Sequence, residues 1–203
     1  MSSTSLYRLS RASLLTGGVI LAIGILADFL SGGDQASALA VATAFMRLAG
    51  VLFLLLGFPG VYARHAAHSG KAGLVGFVLI FLALGLAGAF ETILAIVMPF
   101  LAAHGLGNGH MPASGFVYLL ISDLLLLVGG IVFGISILRN RYAPRWSGIM
   151  LIIGTLVSVL GGIIVRPIGD IGTVVMVIAL CWFAAALETE SSVVQVPARP
   201  ATA

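Results

Sequence analysis

The stretch "GVLFLLLGFPGVYARHAAHSGKAGLVGFVLIFLALGLAG", Gly50 to Gly88, decides the fold. One apolar run ends at Arg64, His65, His68 and Lys71, and a second begins at once. Each belongs to a segment of about 20 residues or more, the length that crosses the hydrocarbon core of a bilayer. Backbone polar groups find no water partners there, so each run must close its own hydrogen bonds as a helix. The basic turn between them is of the kind retained on the cytoplasmic side. This is a membrane hairpin.

Composition extends that reading to the whole chain. Of 203 residues, 60% are hydrophobic and 8% charged, with a mean hydropathy of +1.18. Soluble domains carry about 25% charged residues, which excludes an ordinary globular protein. The net charge of +3 does not indicate a nucleic-acid binder, because the basic residues sit at segment ends and form no stripe. The single cysteine, Cys181, lies in an apolar run and allows no disulfide within one chain.

Reading between charges gives an all-α, six-helix transmembrane bundle in one domain, residues 1–187. Its helices are expected at about 12–30, 38–62, 73–101, 115–138, 146–165 and 171–187, followed by a disordered tail over 188–203. Arg8, Arg11 and the later "QASALA" also resemble a signal peptide, but Asp28 interrupts the run, and a retained helix is expected. With both termini in the cytoplasm, Arg8, Arg11, Arg64, Lys71, Arg139, Arg141, Arg145 and Arg199 fall inside, eight of the ten Lys and Arg. A multi-pass protein of a bacterial cytoplasmic membrane is expected. Pro144 suits the start of the fifth helix, and Asp170 is placed to cap the sixth.

Glycines mark candidate helix seams: Gly130 and Gly134 in a GxxxG, Gly17 with Gly24, Gly154 with Gly161, and Gly85 with Gly88. Two hairpins, Gly60 to Phe81 and Gly134 to Gly154, share a glycine, a basic turn, a second glycine and a new apolar run. They suit either a repeated helical pair or the common form of any positive-inside hairpin. The run "RNRYAPRWSGIMLIIG", within Leu127 to Leu160, resembles the basic-turn, Pro-Arg, glycine-leucine pattern of a family of uncharacterised bacterial multi-pass membrane proteins. That resemblance implies a helical bundle of bacterial origin and carries no activity.

The chemistry lies in ionisable residues within spans, where a charge costs about 2.5–3.5 kcal/mol and so faces a partner or a cavity. Counted from the outer helix ends at 1.5 Å per residue, Arg47, Glu91 and Asp123 fall roughly 12–15 Å deep, at one level. Thr43 shares the face of Arg47, and Ser122 adjoins Asp123. These five are the candidates for ligand binding or proton carriage, with Arg47 expected to pair one acid and leave the other for a ligand or a proton; a structural ion-pair network that fixes helix register fits the same residues. Asp28, Arg166 and Asp170 read as interfacial charges, the last two pairing across "RPIGD" (Arg166 to Asp170). His104 and His110 are weak metal candidates in a glycine-rich outer loop, two ligands where zinc takes three or four. His65 and His68 read as part of a basic surface facing anionic headgroups.

No nucleotide-binding loop, dinucleotide fingerprint or nucleophile elbow is present, so no cofactor is implied. The partners expected are the bilayer and a small solute, ion or lipid, not nucleic acid; an oligomer is left open. Three functions fit: binding or transport of a small solute or ion through an outward-facing polar pocket, an intramembrane enzyme using a carboxyl acid on a lipid or isoprenoid, and a non-catalytic accessory or assembly protein.

Overall fold

The computed structural model describes residues 3–30, 37–104, 113–139 and 144–193, and these form helices with no strand among them. Six helices are long and apolar enough to cross a membrane: α1 (Tyr7–Phe29), α2 (Ala38–Ala66), α3 (Ser69–Leu101), α4 (Ser114–Arg139), α5 (Arg145–Ile164) and α6 (Arg166–Ala186). The protein is a multi-pass helical membrane protein. The six described spans bring the start of α1 and the end of α6 to one face of the bundle, here called the terminal end; the opposite face is the far end.

Local chemistry sets the helix boundaries. The Ser37 hydroxyl accepts the Ala40 N–H at 3.1 Å and caps α2. Gly70, at φ 58° and ψ −169°, is non-helical and breaks the helical path at the start of α3, one residue into that span, in a conformation that glycine adopts without strain. Helix starts and ends differ from the expected ones where charges are tolerated at the interface. Helical structure begins at Ser3, ahead of Arg8 and Arg11, and continues to Val193, into the segment expected to be a disordered tail; residues 194–203 lie outside the described set. Helix α6 starts at Arg166, five residues early, because Pro167 has no N–H to satisfy in a first turn. Asp170 is therefore inside the helix and is not its cap.

The helices close a ring in chain order, each packing on the next and α6 on α1. Glycine makes the seams close. A Cβ on Gly50 would come within 2.7 Å of the Leu21 N, and one on Gly154 within 2.5 Å of the Met176 N. Gly130 lies against Thr155 and Gly134 against Ile152, so the GxxxG faces α5. Gly85 meets nothing and faces outward. Dispersion across such contacts holds helices together where lipid is as apolar as leucine.

The half of the ring nearer the termini is filled. Phe58, Phe133 and Phe183 are fully buried, with ring centroids 5.6 Å and 5.8 Å apart in edge-on contacts. Tyr62 stacks on Phe77 at 4.2 Å. His65 sits edge-on to Phe133 and Phe183, 2% exposed. It is a core residue and not part of a headgroup-facing surface, because the helix turns it inward from Arg64, which lies over Tyr7 at 4.5 Å.

Candidate functional site

Above the aromatic layer the ring is open, and a cavity of about 180 Å³ lies in the far half of the bundle. All six helices line it. Leu21, Ile25, Val51, Leu84, Leu126 and Met176 give an apolar floor and sides, and the polar wall is Arg47, Glu91, Ser122, Asp123, Ser158, Asp170 and Thr173. Val51 on the floor and Phe58 in the plug are seven residues apart, about 10 Å along the helix.

Arg47 organises one side. Its stem crosses Gly24, where a Cβ would come within 2.9 Å of the arginine Cγ. Its Nε donates to Glu91 Oε2 at 3.1 Å and its Nη1 to Asp28 Oδ2 at 2.9 Å. The same Asp28 oxygen accepts from Arg166 Nη2 at 2.8 Å, and Asp28 Oδ1 accepts from the Thr43 hydroxyl at 3.3 Å. One network thus ties α1, α2, α3 and α6. Its residues Arg47, Asp28 and Glu91 have side chains only 8%, 18% and 16% exposed, so water screens them poorly.

Asp123 on α4 and Asp170 on α6 differ. Both line the cavity, and neither makes an ion pair or hydrogen bond with another described residue. Around the cavity and its rim stand four carboxyl groups, Asp28, Glu91, Asp123 and Asp170, against two guanidinium groups, Arg47 and Arg166. Hydroxyls flank the unpaired acids. Ser158 and Thr173 share a hydrogen bond at 2.7 Å, and Ser122 donates to the Ala83 carbonyl at 3.4 Å.

Arg47, Glu91, Asp123 and Ser122 thus meet at one cavity, while Thr43, 1% exposed, stands behind it at Asp28. Three residues set aside as interfacial take part. Arg166 pairs with Asp28 across the α1–α6 seam, not with Asp170 one turn away, which leaves Asp170 to face the cavity. The signal in the sequence was the reach of arginine. A guanidinium on a long stem extends toward the helix end, so the depth of Arg47 along α2 misplaces its charge and hides Asp28 as its partner.

Of the metal candidates, His104 is exposed, its Nδ1 2.8 Å from the Phe100 carbonyl, and His110 lies outside the described residues. Among the described residues no three His, Cys, Asp or Glu side chains converge as a metal-ligand set. No protein-family model matches the chain, and neither does any curated protein or solved structure.

Proposed function

We propose that the protein binds a small cationic solute or ion in the far-half cavity and moves it across the membrane, with both termini cytoplasmic and the cavity facing outward. The observation that carries this reading is the pair Asp123 and Asp170, two carboxyl groups on the wall of a cavity without ionic partners among the described residues. A carboxylate with no direct ion pair in a low-dielectric site is costly, and a bound cation offsets that cost, although at Asp170 nearby Arg166 already offsets part of it. Arg47, engaged by Glu91 and Asp28, is not free to hold an anion. The apolar floor suits a cation with a small hydrocarbon body, such as an alkylammonium ion. Orientation follows the basic residues at the terminal end, which match the cytoplasmic bias of lysine and arginine.

The test is uptake into proteoliposomes of inorganic monovalent cations and small alkylammonium ions, beside the Asp123→Asn and Asp170→Asn variants. Saturable uptake of at least one cation, lost in both folded variants, supports the proposal. Uptake of none, or uptake unchanged in both variants, refutes it.

A further inference from the structure

The cavity is walled off from the terminal end by the aromatic layer, so its wall must move for a solute to pass. The seams differ in how they are built. Between α1 and α2, glycines bring backbone onto backbone: a Cβ on Gly57 would lie 2.5 Å from the Leu14 N, and one on Gly17 would lie 2.8 Å from the Leu54 N. Helices α3 and α4 are joined as closely. A Cβ on Gly76 would lie 2.6 Å from the Phe133 N, and one on Gly129 would lie 2.8 Å from the Ile80 N. A hydroxyl adds to this seam, with Tyr118 donating to the Leu86 carbonyl at 2.5 Å, while Ser136 donates at 3.2 Å to the Ser69 carbonyl, on the α2 side of Gly70, and holds α4 at the pivot.

The seam between α2 and α3 changes along its length. Nearer the termini it is filled by Phe58, Tyr62 and Phe77. At the level of the cavity, Gly88 faces Val51 Cγ1 at an ordinary contact distance, 3.4 Å from its Cβ position, and the Arg47–Glu91 ion pair crosses the gap.

Helix α3 is also irregular at both ends. Gly70 breaks it from α2 with nothing within 4 Å of its Cβ position. Directly after Glu91 and Thr92 it widens to a π turn over Ile93–Val97, where Met98 N–H reaches back to the Ile93 carbonyl. Pro99 follows and has no N–H with which to restore the regular ladder. Backbone breaks of both kinds absorb rotation at small cost, and π turns recur at working sites.

We infer that α3 and α4 swing as one body, on Gly70 and the Ile93–Val97 turn, to open the cavity at the α2–α3 seam, and that the Arg47–Glu91 ion pair is the latch. The motion is independent of what the cavity binds, so its test is separate from that of the cation reading. Spin labels are placed on cysteines replacing Phe45 on α2 and Ala89 on α3, both exposed, in the full chain carrying Cys181→Ala. A reference pair at Leu26 and Phe45 spans the α1–α2 seam from the same α2 site. Distances are measured by pulsed electron resonance in lipid nanodiscs.

The E91Q variant is expected to give a longer-distance population for the α2–α3 pair and an unchanged reference. E91D, which keeps the charge and shortens the arm, is expected to shift the same way by less. D123N, at the same depth but outside the latch, is expected to leave both distributions as in wild type. An unaltered α2–α3 distance in E91Q and E91D overturns the inference. So does equal broadening of both pairs, which would report general loosening and not a latch.

Discussion

Replacing Arg47 by glutamine removes the positive centre of the network while keeping most of the side-chain volume. Two ion pairs are lost, at 2.9 Å to Asp28 and 3.1 Å to Glu91. The two acids are affected unequally. Asp28 keeps Arg166 at 2.8 Å and the Thr43 hydroxyl, so most of its compensation survives. Glu91 loses its ion-pair partner in a site where its side chain is 16% exposed. Removing one member of a buried pair costs about 3–5 kcal/mol, because the remaining charge stays desolvated and uncompensated. Arg47→Gln is therefore expected to lose about 3 kcal/mol or more of stability. Adding Glu91→Gln removes the orphaned charge, and the double variant should recover about 1–3 kcal/mol relative to Arg47→Gln alone. The assay is reversible unfolding in mixed micelles, followed by the fluorescence of Trp146 and Trp182. An Arg47→Gln protein within about 1 kcal/mol of wild type, or a double variant less stable than Arg47→Gln, would refute this view of the network.

Other consequences follow from the same geometry. Asp123→Asn and Asp170→Asn break no ion pair and are expected to stay within about 1 kcal/mol of wild type in the same unfolding assay, even where they abolish the proposed cation binding. Arg166→Gln removes a surface arm, 61% exposed, and its cost should be below about 1 kcal/mol and shrink with added salt. Gly172→Val would drive side-chain atoms into the Ser158 backbone and lose about 1–3 kcal/mol, whereas Gly85→Ala, with open space at its Cβ, should gain about 0.5–1 kcal/mol. Gly70→Ala must hold alanine at φ 58° and should cost about 1–3 kcal/mol, seen as a lower unfolding midpoint.

The spans were legible because the bilayer imposes one length and one hydrogen-bonding solution on every segment that crosses it. The seams were partly legible. Gly130 and Gly134 mark the α4–α5 contact as their spacing suggests, yet Gly85 at similar spacing to Gly88 faces outward, since spacing identifies a shared face and not its neighbour. The cavity was legible in depth, from Arg47, Glu91 and Asp123, but not in pairing. Depth counts rise along an axis and says nothing of which helices adjoin, so the bridge from Asp28 to Arg166 across the closing α1–α6 seam left no mark in the sequence. His65 was misread because a basic neighbour, Arg64, suggested a surface, while one step of about 100° around the helix is enough to turn the imidazole into the core.

The most direct measurement is native mass spectrometry of protein gently extracted from its membrane, wild type beside a Asp123→Asn, Asp170→Asn double variant of equal stability. A cationic small molecule or ion retained by wild type and absent from the double variant is the result expected, and its mass would name the ligand. If both proteins release only the same membrane lipids, the cavity is not a cation site and the central claim is wrong.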